Sequence, residues 1–542
     1  MKLRLTSLRT AAGAALLACV PLACLAAEPV SLGLASTVPA TAETPRVERD
    51  LDAVLADARA AAKLDARLAS PLRAKGDGVR YGTAGELVLE LHPGGPFRFA
   101  FDGPLPTQRA FDGEVAWETD WAGLPTELDL GGREDLLLFA AALSGRWLDP
   151  KVCTVAFAAV DEGDDDDAVD ADEAGTALDV RLIGGLERLT ITLDPDTHLA
   201  AQLASPGSTW HLRENASPLG FPFPHELLLV EESGAEHRFR VKELARAGDL
   251  APASFARPGL PDDHRFDATK PAELETMRAS SGHLLVHPTL DGEDVGWFIL
   301  DTGAGALCIT PSVADPLGIE QVGTVTASGV GGLVQTKVRR GGSLAIGRLV
   351  LDEPTWVELD LDFLEPLLGV KIAGILGYDV FARSVVAIDY ETPHVELVAP
   401  GEYELPSGAT WQHLLLDDHL PCVEATLEGD RRGVFQIDTG ATGTVTFHHA
   451  AVERWGLLDG RETATSRHGG VGGFRAIATG ELDWFELAGR RFEPIDAAFE
   501  PEPSTLWSSA CVSGTLGGAL ISPFTMVLDH VHRKIAFVPR EN

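Results

Sequence analysis

The chain has 542 residues, 45% of them apolar, and a formal net charge of −37. That is enough length and apolar content for several domains with packed cores, and it excludes a disordered tail or a fibre. A field of that sign repels phosphate backbones and anionic lipid, so neither nucleic acid nor an acidic membrane surface is an expected partner.

The first residues read as an export signal. Lys2, Arg4 and Arg9 precede an apolar run from Ala11 to Leu25 and small residues at Ala26 and Ala27. Residues 1–27 are therefore expected to be removed and to stay out of the fold, giving an exported, periplasmic or secreted protein. The order Leu16-Leu17-Ala18-Cys19 is lipobox-like, but it would leave a very short apolar core for a lipoprotein signal. No later run is long and apolar enough to span a bilayer. Loss of those three basic residues takes the charge from −37 to −40.

Residues 28–50, rich in Pro, Thr and Ala, are expected to be a linker. Apolar residues at helical spacing from Leu51 to Leu64 predict a first helix. Strands are expected at Glu86–Leu91, Phe97–Phe101 and Val115–Thr119, and a second helix from Glu134 to Leu143, before Gly145. The acidic run from Asp161 to Glu173 lacks the ligand spacing of a calcium loop and is expected to be a solvated loop. Further strands fall at Leu189–Leu193, Glu226–Val230 and His237–Val241. The hairpin chemistry around Asp112-Gly113, Asp194-Pro195-Asp196-Thr197 and Phe223-Pro224-His225-Glu226 resembles the periplasmic lipoprotein-carrier and sorting proteins. That resemblance implies that residues 51–260 form an antiparallel, half-open barrel around an apolar groove for lipid or peptide. Residues 261–280 are expected to be a second linker.

The chemistry lies beyond it. Asp301-Thr302-Gly303 and Asp438-Thr439-Gly440 each follow an apolar strand, Trp297 to Leu300 and Val434 to Ile437, and each precedes Ala. Downstream of the first comes Ala373-Gly374-Ile375-Leu376-Gly377, and downstream of the second Ser513-Gly514-Thr515-Leu516-Gly517. A strand ending in Asp389 or Asp529 follows. Four landmarks repeated in order at near-constant spacing mean two copies of one folding unit, 281–400 and 401–542, able to supply both halves of a two-fold site. Two carboxyls brought together by such loops hold one proton between them and act as an acid and a base.

At these residues the chain resembles the retropepsin-like aspartic proteases. The resemblance implies a mainly β fold of tandem acid-protease β-barrels, an aspartic endopeptidase acting on polypeptide, Asp301 and Asp438 as the catalytic dyad, and no metal or other cofactor. It implies that Thr302 and Thr439 lock the loops to each other, that Gly303 and Gly440 permit the tight turns, and that Gly329, Gly331, Gly332, Gly470, Gly472 and Gly473 lie in two hairpin flaps over the substrate. With both halves in one chain, a monomer acting as an intramolecular pseudo-dimer is expected. Two alternatives stand beside this: a peptide-binding protein without hydrolytic activity, and a lipid or lipoprotein carrier working through the N-terminal portion. Helices are expected at Pro311–Leu317 and His448–Trp455, with His448 and His449 at the surface. His530 and His532 are expected on an exposed strand face, Cys308 in the core, and Cys422 and Cys511 are candidates for a disulfide.

Overall fold

The computed structural model describes residues 3–5, 50–159, 175–248 and 250–540. The acidic run therefore lies outside the described residues, as does most of the export signal. The fold is mainly β, in five sheets that follow open paths and close no barrel among the described residues. In place of the expected barrels, the two repeats run out into long hairpins and a sheet they share.

The N-terminal portion is one antiparallel sheet of 13 strands between Leu72 and Arg246. It is preceded by helix Leu51–Ala62, which starts where the Asp50 side chain accepts the Asp52 N–H at 3.0 Å and ends at Lys63 in the left-handed region. The resemblance implied an open groove, but the inner face is a packed core. Phe99, Phe139, Trp210 and Phe239 meet ring to ring, and helix Leu130–Ser144 buries most of its length against them. The cavity beside Ala58, Ala62 and Leu148 holds about 30 Å³, room for water and not for an acyl chain.

Residues 261–280 are not a free connection. His264–Phe266 pairs with Leu349–Leu351, and Thr276–Arg278 with Leu284–Val286, so both segments are strands of the first repeat. A nine-stranded sheet carries the first Asp-Thr-Gly loop and a ten-stranded sheet the second. A fifth sheet joins them: Val385–Asp389 of the first repeat pairs antiparallel with Phe524–Asp529 of the second, Val385 opposite Asp529. One covalent chain thus makes the contact that holds the two loops face to face. Leu3–Leu5, expected to stay out of the fold, adds a strand to the open edge of the first hairpin, with Leu3 opposite Gly329 and Leu5 opposite Ala327.

The N-terminal sheet docks on both repeats through buried polar contacts. Thr126 Oγ1 lies 2.6 Å from the Tyr378 hydroxyl, and the Glu187 carboxylate accepts from Ser509 Oγ and the Ala510 N–H, both at 2.9 Å. His419 of the second repeat reaches within 3.9 Å of Glu118, which faces Arg109 across paired strands. Burial pushes the Glu118 and Asp120 carboxyls up to about 8. No helix among the described residues is long and apolar enough to cross a membrane.

Candidate active site

Each Asp-Thr-Gly loop is built in the same way. The strand before it runs parallel to the Gly-ended element, Leu300 opposite Leu376 in one repeat and Ile437 opposite Leu516 in the other. The Asp301 N–H then donates to the Leu376 carbonyl at 3.0 Å, and the Asp438 N–H to Leu516 at 2.9 Å. The chain next turns back under the loop. Tyr378 N–H donates to the Ala304 carbonyl, and Gly518 N–H to Ala441. Gly377 and Gly517 sit where any Cβ would run into the carbonyls of Ala304 and Ala306, or of Ala441 and Gly443. This is why glycine ends both supporting elements.

The loops are locked to each other by four hydrogen bonds related by the two-fold. Thr302 N–H donates to Thr439 Oγ1 at 2.9 Å, and Thr439 N–H to Thr302 Oγ1 at 3.0 Å. The two hydroxyls donate across to the Ile437 and Leu300 carbonyls, each at 2.9 Å. Both threonines are buried, so every donor has an acceptor in a dry setting and the loops have one relative placement.

Asp301 and Asp438 are fully buried. Oδ1 of each accepts from its own loop, from Gly303 N–H at 2.8 Å and from Gly440 N–H at 2.9 Å. The two loops bring the carboxyls close together: a Cβ on Gly440 would strike the Asp301 carboxyl, and the Asp438 charge acts on Asp301 directly. Burial first, and then the Asp438 charge beside it, push Asp301 well above the usual carboxylate range. Asp301 therefore keeps its proton under conditions where an exposed carboxyl would have lost it.

The predicted glycines close two hairpins, Glu320–Arg340 and Ala464–Leu482. Gly329 pairs with Gly332, and Gly470 with Gly473. Gly332, Gly472 and Gly473 take φ of +130°, +85° and +119°, where a side chain is strained. The tips meet: Gly331 N–H donates to the Val471 carbonyl at 2.9 Å. Val471 packs into the cluster that holds Ala304, next to the first loop, while Val330 packs with Leu420, Leu506 and Trp507 of the second repeat. A Cβ on Gly331 would overlap the Gly473 backbone, so Gly331→Val must part the tips. The expected result is a turnover loss of about tenfold or more with a smaller effect on melting temperature, since parting the tips disturbs the burial of Val330 and Val471 and leaves the two large cores intact. Unchanged turnover would reduce the hairpins to ordinary turns.

Several expectations are corrected. His448 is fully buried, its ring stacked on Trp507 and its Nε2 2.9 Å from Thr515 Oγ1. His530 is also buried, against Tyr378 and Phe381, because the turn it occupies is covered by the neighbouring helix. Cys422 and Cys511 are not joined in a disulfide: Cys422 is buried in its own strand, and Cys511 lies beside Glu134 of helix Leu130–Ser144. Cys308 is in the core as expected. Two residues near the loops escaped sequence reasoning. Tyr390 places its hydroxyl 3.4 Å from the Thr439 carbonyl, and Asp379 accepts the Leu307 N–H at 3.2 Å while facing Arg383 at 3.7 Å. The i,i+4 spacing of Asp379 and Arg383 was the only signal for either.

No curated protein matches this chain. The aspartyl protease family, in contrast, matches it twice in tandem, over residues 286–380 and again over 423–520, each match containing one Asp-Thr-Gly loop and its Gly-ended support.

Proposed function

We propose that the chain is an aspartic endopeptidase whose dyad, Asp301 and Asp438, is intramolecular. The observation that carries this is the close approach of two buried carboxyls on symmetry-related, cross-bonded loops. In the reaction, the ionised carboxyl takes a proton from a water as the water oxygen attacks the peptide carbonyl carbon, and the protonated carboxyl gives its proton to the carbonyl oxygen. Collapse of the tetrahedral diol returns a proton to the amine nitrogen as the C–N bond breaks, and the dyad ends with the single proton it began with. The Thr302–Thr439 lock keeps the carboxyls at one separation throughout, which general acid–base chemistry requires.

The edge of the first hairpin that takes Leu3–Leu5 as an antiparallel strand supports an extended polypeptide as substrate, because main-chain pairing binds a strand with little regard for its side chains. Export and removal of residues 1–27 belong to the same reading. The test is digestion of a peptide library by the purified chain across pH, with and without pepstatin, at a mass established as monomeric. Pepstatin-sensitive cleavage by the monomer is the expected result. A monomer that binds the peptides without cutting them at any pH would leave the non-hydrolytic alternative.

A further inference from the structure

The N-terminal sheet is fastened to the first repeat at two places. One is the hairpin, where Thr324 N–H donates to the Tyr81 carbonyl at 3.1 Å and Thr326 Oγ1 donates to Ser233 Oγ at 2.9 Å. The other is the base of the Asp-Thr-Gly loop. There Thr126, on the short edge strand Pro125–Glu127, brings its Oγ1 within 2.6 Å of the Tyr378 hydroxyl, and both side chains are buried. Tyr378 is also the residue whose N–H holds the Ala304 carbonyl, at 2.8 Å, and the Ala304 N–H in turn donates to the Asp301 carbonyl at 3.1 Å. The side chain and backbone of one residue thus join the N-terminal sheet to the loop that carries Asp301.

The second repeat is built differently at the matching positions. Gly518 stands where the first repeat has Tyr378, with its N–H on the Ala441 carbonyl at 2.6 Å and no side chain to anchor. Tyr390, which follows Asp389, packs on it from the first repeat. A Cβ on Gly518 would lie 3.1 Å from the Tyr390 ring, and the Tyr390 hydroxyl reaches the Thr439 carbonyl at 3.4 Å. His530 follows Asp529 in the same way. Its ring centroid stands 6.0 Å from that of Tyr378, but neither ring nitrogen has a hydrogen-bond partner among the described residues. The second loop therefore takes its tyrosine hydroxyl from within the two repeats, whereas the tyrosine under the first loop is tied to the N-terminal sheet.

We propose that Tyr378 is a positioning residue for Asp301, held in place by Thr126, so that the N-terminal sheet is part of the catalytic scaffold of the first loop. The proposal rests on the protease reading of the site. Packing alone leaves the tyrosine ring room, because a cavity of about 90 Å³ lined by Thr126, Tyr378 and His530 lies beside it. Without the hydroxyl bond the ring can shift into that space, the backbone at Tyr378 follows, and the Ala304 carbonyl goes with it. The carboxyl of Asp301 then loses the fixed placement that general acid–base chemistry requires.

Thr126→Val and Tyr378→Phe each remove one hydroxyl and keep the shape of the side chain. In the full chain, each should lower kcat for a cleaved peptide about tenfold and leave KM within about twofold, because the bond acts on the dyad and not on the substrate. The double variant should be no worse than either single one, and Thr126→Ser, which keeps the hydroxyl, should retain most of the wild-type kcat. A bond that served stability alone would lower the melting temperature and leave kcat where it was. Unchanged kcat in both folded single variants, or losses that multiply in the double variant, would overturn the proposal. Amide hydrogen exchange reads the same tether without turnover: residues 301–309 should exchange about tenfold faster in Thr126→Val and Tyr378→Phe, and not in Thr126→Ser. Exchange that ignores both substitutions would also overturn it. A wild-type chain that cuts no peptide while its exchange responds would strike the protease reading and leave the tether standing.

Discussion

Asp301→Asn and Asp438→Asn are each expected to lower peptide cleavage by about a thousandfold or more, with the chain still folded. Each asparagine keeps the shape of the side chain and an Oδ1 to accept from Gly303 or Gly440, so the loop geometry has no reason to change. What it removes is the ionisable group, and a single carboxyl opposite an amide cannot be both proton donor and proton acceptor. Since the dyad is fully buried, replacing one of two repelling carboxyls with a neutral group should leave the melting temperature equal to wild type or raise it near neutral pH. Loss of activity with loss of the fold would therefore point elsewhere. The two variants should be equivalent, because each loop is built by the same bonds. They should not complement each other when mixed, because Val385–Asp389 and Phe524–Asp529 pair within one chain. Full activity in either single variant would remove the shared dyad.

What could be read from the sequence was whatever is local and repeated. The Asp-Thr-Gly loops, their Gly-ended supports, the threonine lock and the hairpin glycines each sit within a few residues of a recognisable landmark, and the second copy vouches for the first. The rest depends on partners distant in the chain. Arg475 lies on one strand and Glu500 just past another, and only the fold brings them within 2.7 Å. His448 reads as a surface residue because nothing beside it announces Trp507, which arrives from a loop nearly sixty residues later. The N-terminal sheet was legible as antiparallel β, but not as filled, since the helix that packs its inner face could equally have covered the outside. Its grip on the first hairpin, through the Tyr81 carbonyl and Ser233, uses a main-chain atom and a turn serine that have no sequence signature.

The rate of cleavage is expected to be bell-shaped in pH and centred at mildly acidic values, and the two alanines after the triplets help set that centre. Activity needs one carboxyl charged and one protonated. It falls at low pH as the pair becomes doubly protonated and at high pH as the second proton leaves. Because burial and the neighbouring Asp438 raise Asp301 well above the usual carboxylate range, that second proton stays on to higher pH and the alkaline limb lies correspondingly high. Ala304 and Ala441 offer no hydroxyl to the charged form. Placing Ser at both should stabilise the ionised carboxylates and move the profile toward acid by about 1 pH unit, the equivalent of one modest hydrogen bond. A second process shares the alkaline side. Glu118 and Asp120, at the seam between the N-terminal sheet and the repeats, are pushed up to about 8 by burial. Groups raised in the folded state give stability that is complete below their unfolded values and is lost as pH rises through the folded ones, so the seam weakens toward pH 8. Glu118→Gln separates the two. It should flatten the alkaline fall in melting temperature and leave the alkaline limb of activity where it was, whereas the double-Ser chain should move the activity limb and leave the melting curve alone. If the activity limb follows Glu118→Gln instead, loss of the seam and not of the dyad proton limits cleavage. If the double-Ser profile stays fixed or moves toward alkali, the alanines do not set the working pH.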